Sequence, residues 1–381
     1  MFKRKQRLPD LGSETCFLWG PRQTGKSTLV KQRFPKALVY DLLLADEFSR
    51  LKRNPSLLRQ DLLALQKKTL PPIIIDEIQK CPDLLDEVQW LIVNHGFQFI
   101  LCGSSARKLR RGHANLLGGR ALRYELFPLV SAEIPQFDLL RALNHGLIPR
   151  HYIGAQPKRM LAAYLATYLK EEVAAEALVR NLAGFGRFLE VAAFSNGGIP
   201  VFQNIGSDCG ISPPTVKEYF QILEDTLLAR FCPAFQKRPK RRVVQSPKFY
   251  LFDVGLTNHL LKRGPIEIGG ESFGNAFEHF IYMELLAYSH YSGKDFAISY
   301  WRTTSQLEVD FILGDHQVAV EVKGVPEVKT NHLRGLHAFA EEYKVQKQIV
   351  VSLDPRKRLL GSCNIFPWQQ FLNALWRGEI I

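Results

Sequence analysis

The stretch TCFLWGPRQTGKSTLV, Thr15–Val30, decides the fold of the first third of this chain. It reads as a short apolar strand, Cys16 to Trp19, then a turn of eight residues, Gly20, Pro21, Arg22, Gln23, Thr24, Gly25, Lys26 and Ser27, and then an apolar helix that takes in Thr28. Strand, glycine-bearing loop and helix in that order are the context in which GxxxxGK[ST] cradles a phosphate. The glycines let backbone N–H groups turn toward phosphate oxygens, and a helix beginning near Gly25 adds the positive end of its dipole. Lys26 has the reach for β- and γ-phosphates, and the Ser27 hydroxyl is placed to ligate Mg²⁺.

About fifty residues on, PPIIIDEIQ gives a second strand, Ile73 to Ile75, ending in Asp76 and Glu77. In this context Asp76 is expected to hold Mg²⁺ through water and Glu77 to polarise the attacking water. A third strand, FQFILCGSSAR, ends in Ser104 and Ser105, with Arg107 behind them. Strand ends at the carboxyl edge of an open α/β sheet are where ligands bind, so these three are candidates for sensing the γ-phosphate. An N-cap serine for the next helix is an equal alternative. Arg120, after Gly118-Gly119, is a candidate to touch a γ-phosphate in its own chain or a neighbour's, or else a solvated surface residue.

These segments resemble the AAA-type P-loop ATPases of bacteria and archaea related to the signal-transduction ATPases. The resemblance rests on GPRQTGKS, IIIDEIQ, ILCGSSARKL and the stretch from GGRA to LFPL. It continues in FYLFDVGL and GNAFEHFIYMELLA, which are similar to the C-terminal domain of unknown function fused to such ATPases. It implies an ATP-dependent switch, a winged-helix region and a C-terminal domain similar to restriction-endonuclease folds. The expected fold class is therefore α/β: a P-loop NTPase parallel sheet over 1–130, a helical and winged-helix region over 131–247, and a restriction-endonuclease-like α/β domain over 248–381.

The 381 residues and an apolar fraction of 46% suit two or three domains with real cores. No apolar run approaches the length of a membrane-spanning helix, and the basic start lacks the apolar region of a secretory signal. The six cysteines show no CxxC or zinc spacing, so reduced thiols in the cytoplasm are expected. The net charge of +13 is uneven: 22 basic against 12 acidic residues over 1–130, 14 against 10 over 131–247, and 14 against 15 over 248–381. That balance permits DNA or RNA as partners of the first two segments and equally permits mere solubility.

In the middle, RMLAAYLATYLKEEV and FGRFLEVAAF have helical spacing. DCGISPPTVKEYFQILE predicts a helix-turn-helix, with Gly210 at the turn, Ser212 as N-cap and Pro213 first in the helix. Val216, Tyr219, Phe220 and Leu223 should face inward; Lys217, Glu218, Gln221 and Glu224 face out, a poor surface for phosphates. The following QKRPKRRVV would put Lys237, Arg238, Lys240, Arg241 and Arg242 on a wing. Either the wing binds nucleic acid, or the winged helix is a lid whose charges are solvated or meet acidic surface.

In LEVDFILGDHQVAVEVKG, residues 307–324, two strands are joined by a turn at Gly314–Gln317. Val309, Phe311 and Leu313 form one expected face, and Val318, Val320 and Val322 the next. A Gly314–Gln317 closure sets Asp310 opposite Glu321 and Glu308 opposite Lys323. Opposed carboxylates repel, and a divalent cation between them reverses the sign. Glu278, on the buried stripe of Ile281, Tyr282 and Leu285, offers a third carboxylate. Glu278, Asp310, Glu321 and Lys323 resemble the active site of PD-(D/E)xK nucleases, with Val309 where the signature has proline. The resemblance implies Mg²⁺ or Mn²⁺ on the three carboxylates and Lys323 orienting a water. Two functions follow: an ATP-regulated enzyme acting on nucleic acid, or a signalling or scaffold ATPase, alone or as a homo-oligomer, whose C-terminal fold docks protein partners.

Overall fold

Five short runs rich in Ile, Leu, Phe and Val build the N-terminal sheet: β1 (Thr15–Trp19), β2 (Leu38–Asp41), β3 (Ile73–Asp76), β4 (Phe99–Gly103) and β5 (Ala121–Glu125). Their order is β2-β3-β4-β1-β5, and every pairing is parallel. β1, β3 and β4 are buried at every position, as unbroken apolar runs in a parallel sheet covered on both faces must be. The intervening helices are α1 (Lys26–Arg33), α2 (Ala45–Arg53), α3 (Ser56–Leu63) and α4 (Leu84–His95). One core joins Phe17, Trp19, Ile73, Ile75, Phe99 and Leu101 to Leu58, Leu62, Leu84 and Val88. With all strands parallel, the loops carrying Gly20–Gly25, Glu77 and Ser104 leave the same carboxyl edge.

The computed structural model describes residues 2–10, 14–65, 71–105, 117–168, 181–237 and 241–381. The chain divides into two units. One comprises Arg4–Pro128 with Asp225–Leu228; the other comprises Met1–Lys3, Leu129–Glu224 and Ala229–Ile381. The stretches expected as a middle region and a C-terminal domain thus cluster in a single unit.

That second unit begins with helices α5 (Leu139–His145), α6 (Pro149–Ile153), α7 (Pro157–Tyr168), α8 (Leu182–Phe194), α9 (Phe202–Cys209) and α10 (Pro213–Asp225). The expected inward residues of α10, Val216, Tyr219, Phe220 and Leu223, are all buried. Ser212 takes the Thr215 N–H at 3.3 Å, the N-cap role. An antiparallel pair follows, β6 (Ala229–Cys232) with β7 (Lys248–Leu251). The Phe220 ring meets those of Phe188 and Phe249 edge-on at 4.9 Å and stacks on Phe202 at 5.3 Å, tying the helices to the hairpin. Then come α11 (Val254–Leu260) and α12 (Phe273–Tyr291), and a six-stranded mixed sheet in the order β12-β13-β11-β10-β9-β8. Its strands are β8 (Ile298–Arg302), β9 (Glu308–Leu313), β10 (Val318–Lys323), β11 (Lys347–Ser352), β12 (Arg358–Leu360) and β13 (Cys363–Pro367); α13 (Arg334–Glu342) and α14 (Trp368–Trp376) complete the unit.

β9 and β10 pair in the expected register, Leu313 with Val318, Ile312 with Ala319, Phe311 with Val320. The expected face does not survive, because β9 is bulged. Ser299 pairs with Ile312 and Trp301 with Val309, so Tyr300 is opposed by two residues, Asp310 and Phe311. A bulge inserts one residue and breaks the alternation. Val309 and Ile312 therefore share the core with Leu336 and Phe339 of α13, while Phe311 stacks on Tyr282 of α12.

Six cysteines are buried and unpaired. No helix among the described residues is long and apolar enough to cross a membrane.

Candidate functional site

The phosphate loop closes on itself. Gly25 ends it at φ 95°, a left-handed conformation in which a side chain is strained, and caps α1. Gly20 passes so close to β5's exit that a Cβ would stand 2.4 Å from the Leu126 carbonyl oxygen. The Thr24 hydroxyl donates to the Pro21 carbonyl at 2.8 Å. Lys26 is buried; its ammonium donates to the carbonyls of Gly20 at 2.7 Å and Pro21 at 3.1 Å, the oxygens that surround the loop's hollow. A residue unseen by motif reading anchors the loop: Arg4 donates to the Thr24 carbonyl and to the Phe127 carbonyl at 2.6 Å, tying the loop to the chain beyond β5.

Ser27 and Asp76, 49 positions apart, come together, the hydroxyl donating to Asp76 Oδ2 at 2.6 Å. Asp76 is buried and its other oxygen takes the Glu77 N–H at 3.1 Å. Glu77 sits at φ 58°, a left-handed conformation unusual for this residue type, which turns the chain at the end of β3. Gln79 was not singled out from sequence. Its amide donates to the Glu77 carboxylate and to Ser104 Oγ at 3.0 Å, linking β3's end to β4's. A Cβ on Gly103 would sit 2.6 Å from Gln79 Oε1, so the bare backbone of Gly103 makes room for that bridge. Ser104 and Ser105 are both buried. Arg22 and Gln23 lie in the loop, and Thr28 is exposed in α1. Arg120 is exposed beside Gly118. Arg107 lies outside the described residues.

This donor set fits Mg²⁺ with a nucleotide. A hydroxyl and a carboxylate are hard oxygen ligands, they meet beside the loop, and a buried ammonium there donates to oxygens a phosphate would replace.

Two of the wing's charges, Lys237 and Arg241, are paired within the second unit. Lys237 pairs with Asp315, and Arg241 with Glu341 and, at 2.8 Å, Glu342. Arg238 and Lys240 lie outside the described residues.

The C-terminal carboxylates correct the sequence reading most. Glu278, Asp310 and Glu321 do not assemble into a metal-ligand set; among the described residues no group of three His, Cys, Asp or Glu side chains is placed to hold an ion. Lys248 of β7, which no motif marked, intervenes. Its side chain is 3% exposed, and its ammonium lies 2.6 Å from Glu308, 3.1 Å from Glu278 and 3.9 Å from Asp310. Tyr250 donates to Glu278 at 2.6 Å. The expected Glu308–Lys323 pair is absent: Glu308 meets Lys248 and Arg302, and Lys323 pairs with Glu321 at 2.5 Å. The β9–β10 pairing ends at Phe311 and Val320, beside the bulge, while Glu308 stays paired with Arg302 of β8. Asp310 Oδ2 instead accepts the Val322 N–H at 2.8 Å.

Burial, then Glu278, push the Asp310 carboxyl up to about 6, against Lys248 and Lys323. Burial and Asp310 raise Glu321 well above the carboxylate range. Burial pulls the Lys248 ammonium down, but Glu278, Asp310 and Glu308 together hold it above its ordinary value.

Fold and loop define the class: an α/β protein with a P-loop NTPase-type sheet, then a helical region and a separate mixed sheet. Residues 12–134 match the family described as AAA domain. Residues 136–267 and 273–371 match two domains of unknown function, DUF8612 and DUF4143. Uncharacterized proteins of Mycobacterium bovis and Mycobacterium tuberculosis are each 25% identical over 325 residues, 81% of this chain and 68% of theirs. The Aeropyrum pernix ORC1 protein, solved in complex with DNA, is similar at 12% identity and a TM-score of 0.30, over 65% of this chain and 86% of that one. So loose a likeness carries no argument about function.

Proposed function

We propose that the chain is an ATP-binding and ATP-hydrolysing switch whose C-terminal sheet docks a protein partner. The observation that carries it is the Ser27–Asp76 contact beside the buried Lys26, with Glu77 held from the next position. Loop N–H groups and Lys26 would bind the phosphates, and Ser27 and Asp76 would hold Mg²⁺. Bound there, the ion neutralises charge developing on the phosphates. Glu77 would orient the attacking water, and Gln79 would relay the state of that carboxylate to Ser104.

Nucleic acid as the object of the switch has weaker support, because Lys237 and Arg241 are engaged by Asp315, Glu341 and Glu342. The bulk charge of +13 alone speaks for it.

The test is nucleotide binding and turnover. Lys26→Ala should abolish binding of a fluorescent ATP analogue. Glu77→Gln should keep binding and lower kcat by about 10²-fold or more. Turnover unchanged in both variants would overturn the reading. Electrophoretic shift with DNA or RNA separates the two objects: ATP-dependent retardation would favour nucleic acid.

A further inference from the structure

We infer that the C-terminal carboxylate centre carries its own cation, the Lys248 ammonium, and excludes a divalent metal. The argument is one of charge. Four acids, Glu278, Glu308, Asp310 and Glu321, face three bases: Lys248, Lys323, and Arg302 at 3.4 Å from Glu308. Glu321 Oε2 is buried and takes no hydrogen bond. A carboxyl oxygen so placed is best satisfied by a proton of its own, since an unpaired buried charge is costly. With that proton the centre is neutral. A doubly charged ion would displace that proton and still leave the centre with one excess positive charge out of water, which is costly in a low-dielectric interior. Geometry points the same way. Lys248 comes from β7, outside the sheet that carries Asp310 and Glu321, and enters from the Tyr250 side to lie among the acids. The ring of Tyr300 lies 5.4 Å from the ammonium, a second stabilising contact for a cation. The resemblance to nuclease ligands is thus one of residue type, and the cation it requires is supplied covalently by the chain.

This deepens the docking reading of the C-terminal sheet, and its test is separate from the ATP site. Mn²⁺ binding is counted by electron paramagnetic resonance on the full, nucleotide-free chain carrying Ser27→Ala, which silences the phosphate-loop site. Adding Asp310→Asn should leave the number of bound Mn²⁺ unchanged. Adding Lys248→Met should create one new site, and Lys248→Met with Asp310→Asn should remove it again. Loss of a Mn²⁺ on Asp310→Asn in the chain that keeps Lys248 would overturn the inference. So would a folded Lys248→Met variant that gains no ion. If Lys248→Met does not fold, the Asp310→Asn comparison still decides. Failure of Lys26→Ala to abolish nucleotide binding would sink the switch and leave this result untouched.

Discussion

Gln79 illustrates how much a single amide can govern at the residue scale. It joins the carboxylate expected to orient water to a serine on the neighbouring strand. Gln79→Leu removes both bonds and leaves the phosphate loop alone. Steady-state kinetics should show kcat lowered roughly 10²-fold, the effect of misplacing a reacting group, with the affinity for nucleotide unchanged. A parallel loss of affinity would mean that Gln79 supports the fold of the loop instead. Glu284 poses a different residue-scale question. It is buried on α12 and accepts from the Ser131 N–H at 2.6 Å, the Ser131 hydroxyl at 2.9 Å and Trp376 Nε1 at 2.7 Å. Burial pushes its carboxyl up to about 7, the three donors opposing. The native form then keeps a proton that the unfolded chain releases near the ordinary carboxyl range. Stability from this group is full below that range, falls as pH rises toward 7, and levels off above it. Thermal unfolding across pH 4 to 8 should show the wild type losing ground to Glu284→Gln within that window. A constant gap between the two would show that the carboxyl titrates normally.

At the scale of elements, α10 is held by rings and β9 by an irregularity. Phe220 touches Phe188, Phe202, Phe231 and Phe249, from two helices and both strands of the hairpin. Phe220→Ala leaves a hole that these rigid neighbours cannot fill. Chemical denaturation should show a loss of about 3–5 kcal/mol. A loss under about 1 kcal/mol would mean that the helices pack independently of the hairpin. The course of β9 bears on chemistry as well as packing. Its pairing with β10 ends at Phe311 and Val320, beside the bulge. Glu308 meets Lys248 and Arg302, and Lys323 pairs with Glu321.

At the scale of the whole molecule, Arg120 is exposed on the unit that carries the phosphate loop and is a candidate for reaching a neighbouring copy's phosphate. Specific ATPase activity should then rise with protein concentration, and Arg120→Ala should flatten the curve; a flat wild-type curve would dismiss the role. How much of this was legible beforehand differs between the two ends of the chain. Around Lys26 nearly all of it was, because a phosphate loop is a local device: strand, glycines, lysine and helix stand within sixteen residues, and the chain's own stereochemistry fixes their relation. The parallel order of strands then brought Asp76 to Ser27, as the motif required. Gln79 and Arg4 escaped notice because a glutamine or an arginine has no spacing rule; only the meeting of strand ends and loop gives each its partner. At the far end, composition and register told that acids would crowd, and pointed to a divalent cation among them. The cation found among them is an ammonium instead. The answer came from Lys248, 62 positions before Asp310, on a strand whose path depends on the whole second unit. Local pattern determined the nucleotide loop, because its parts are neighbours in the chain. Tertiary structure decided the nature of the C-terminal centre, because electrostatic compensation acts through space and takes the nearest cation wherever the chain delivers it.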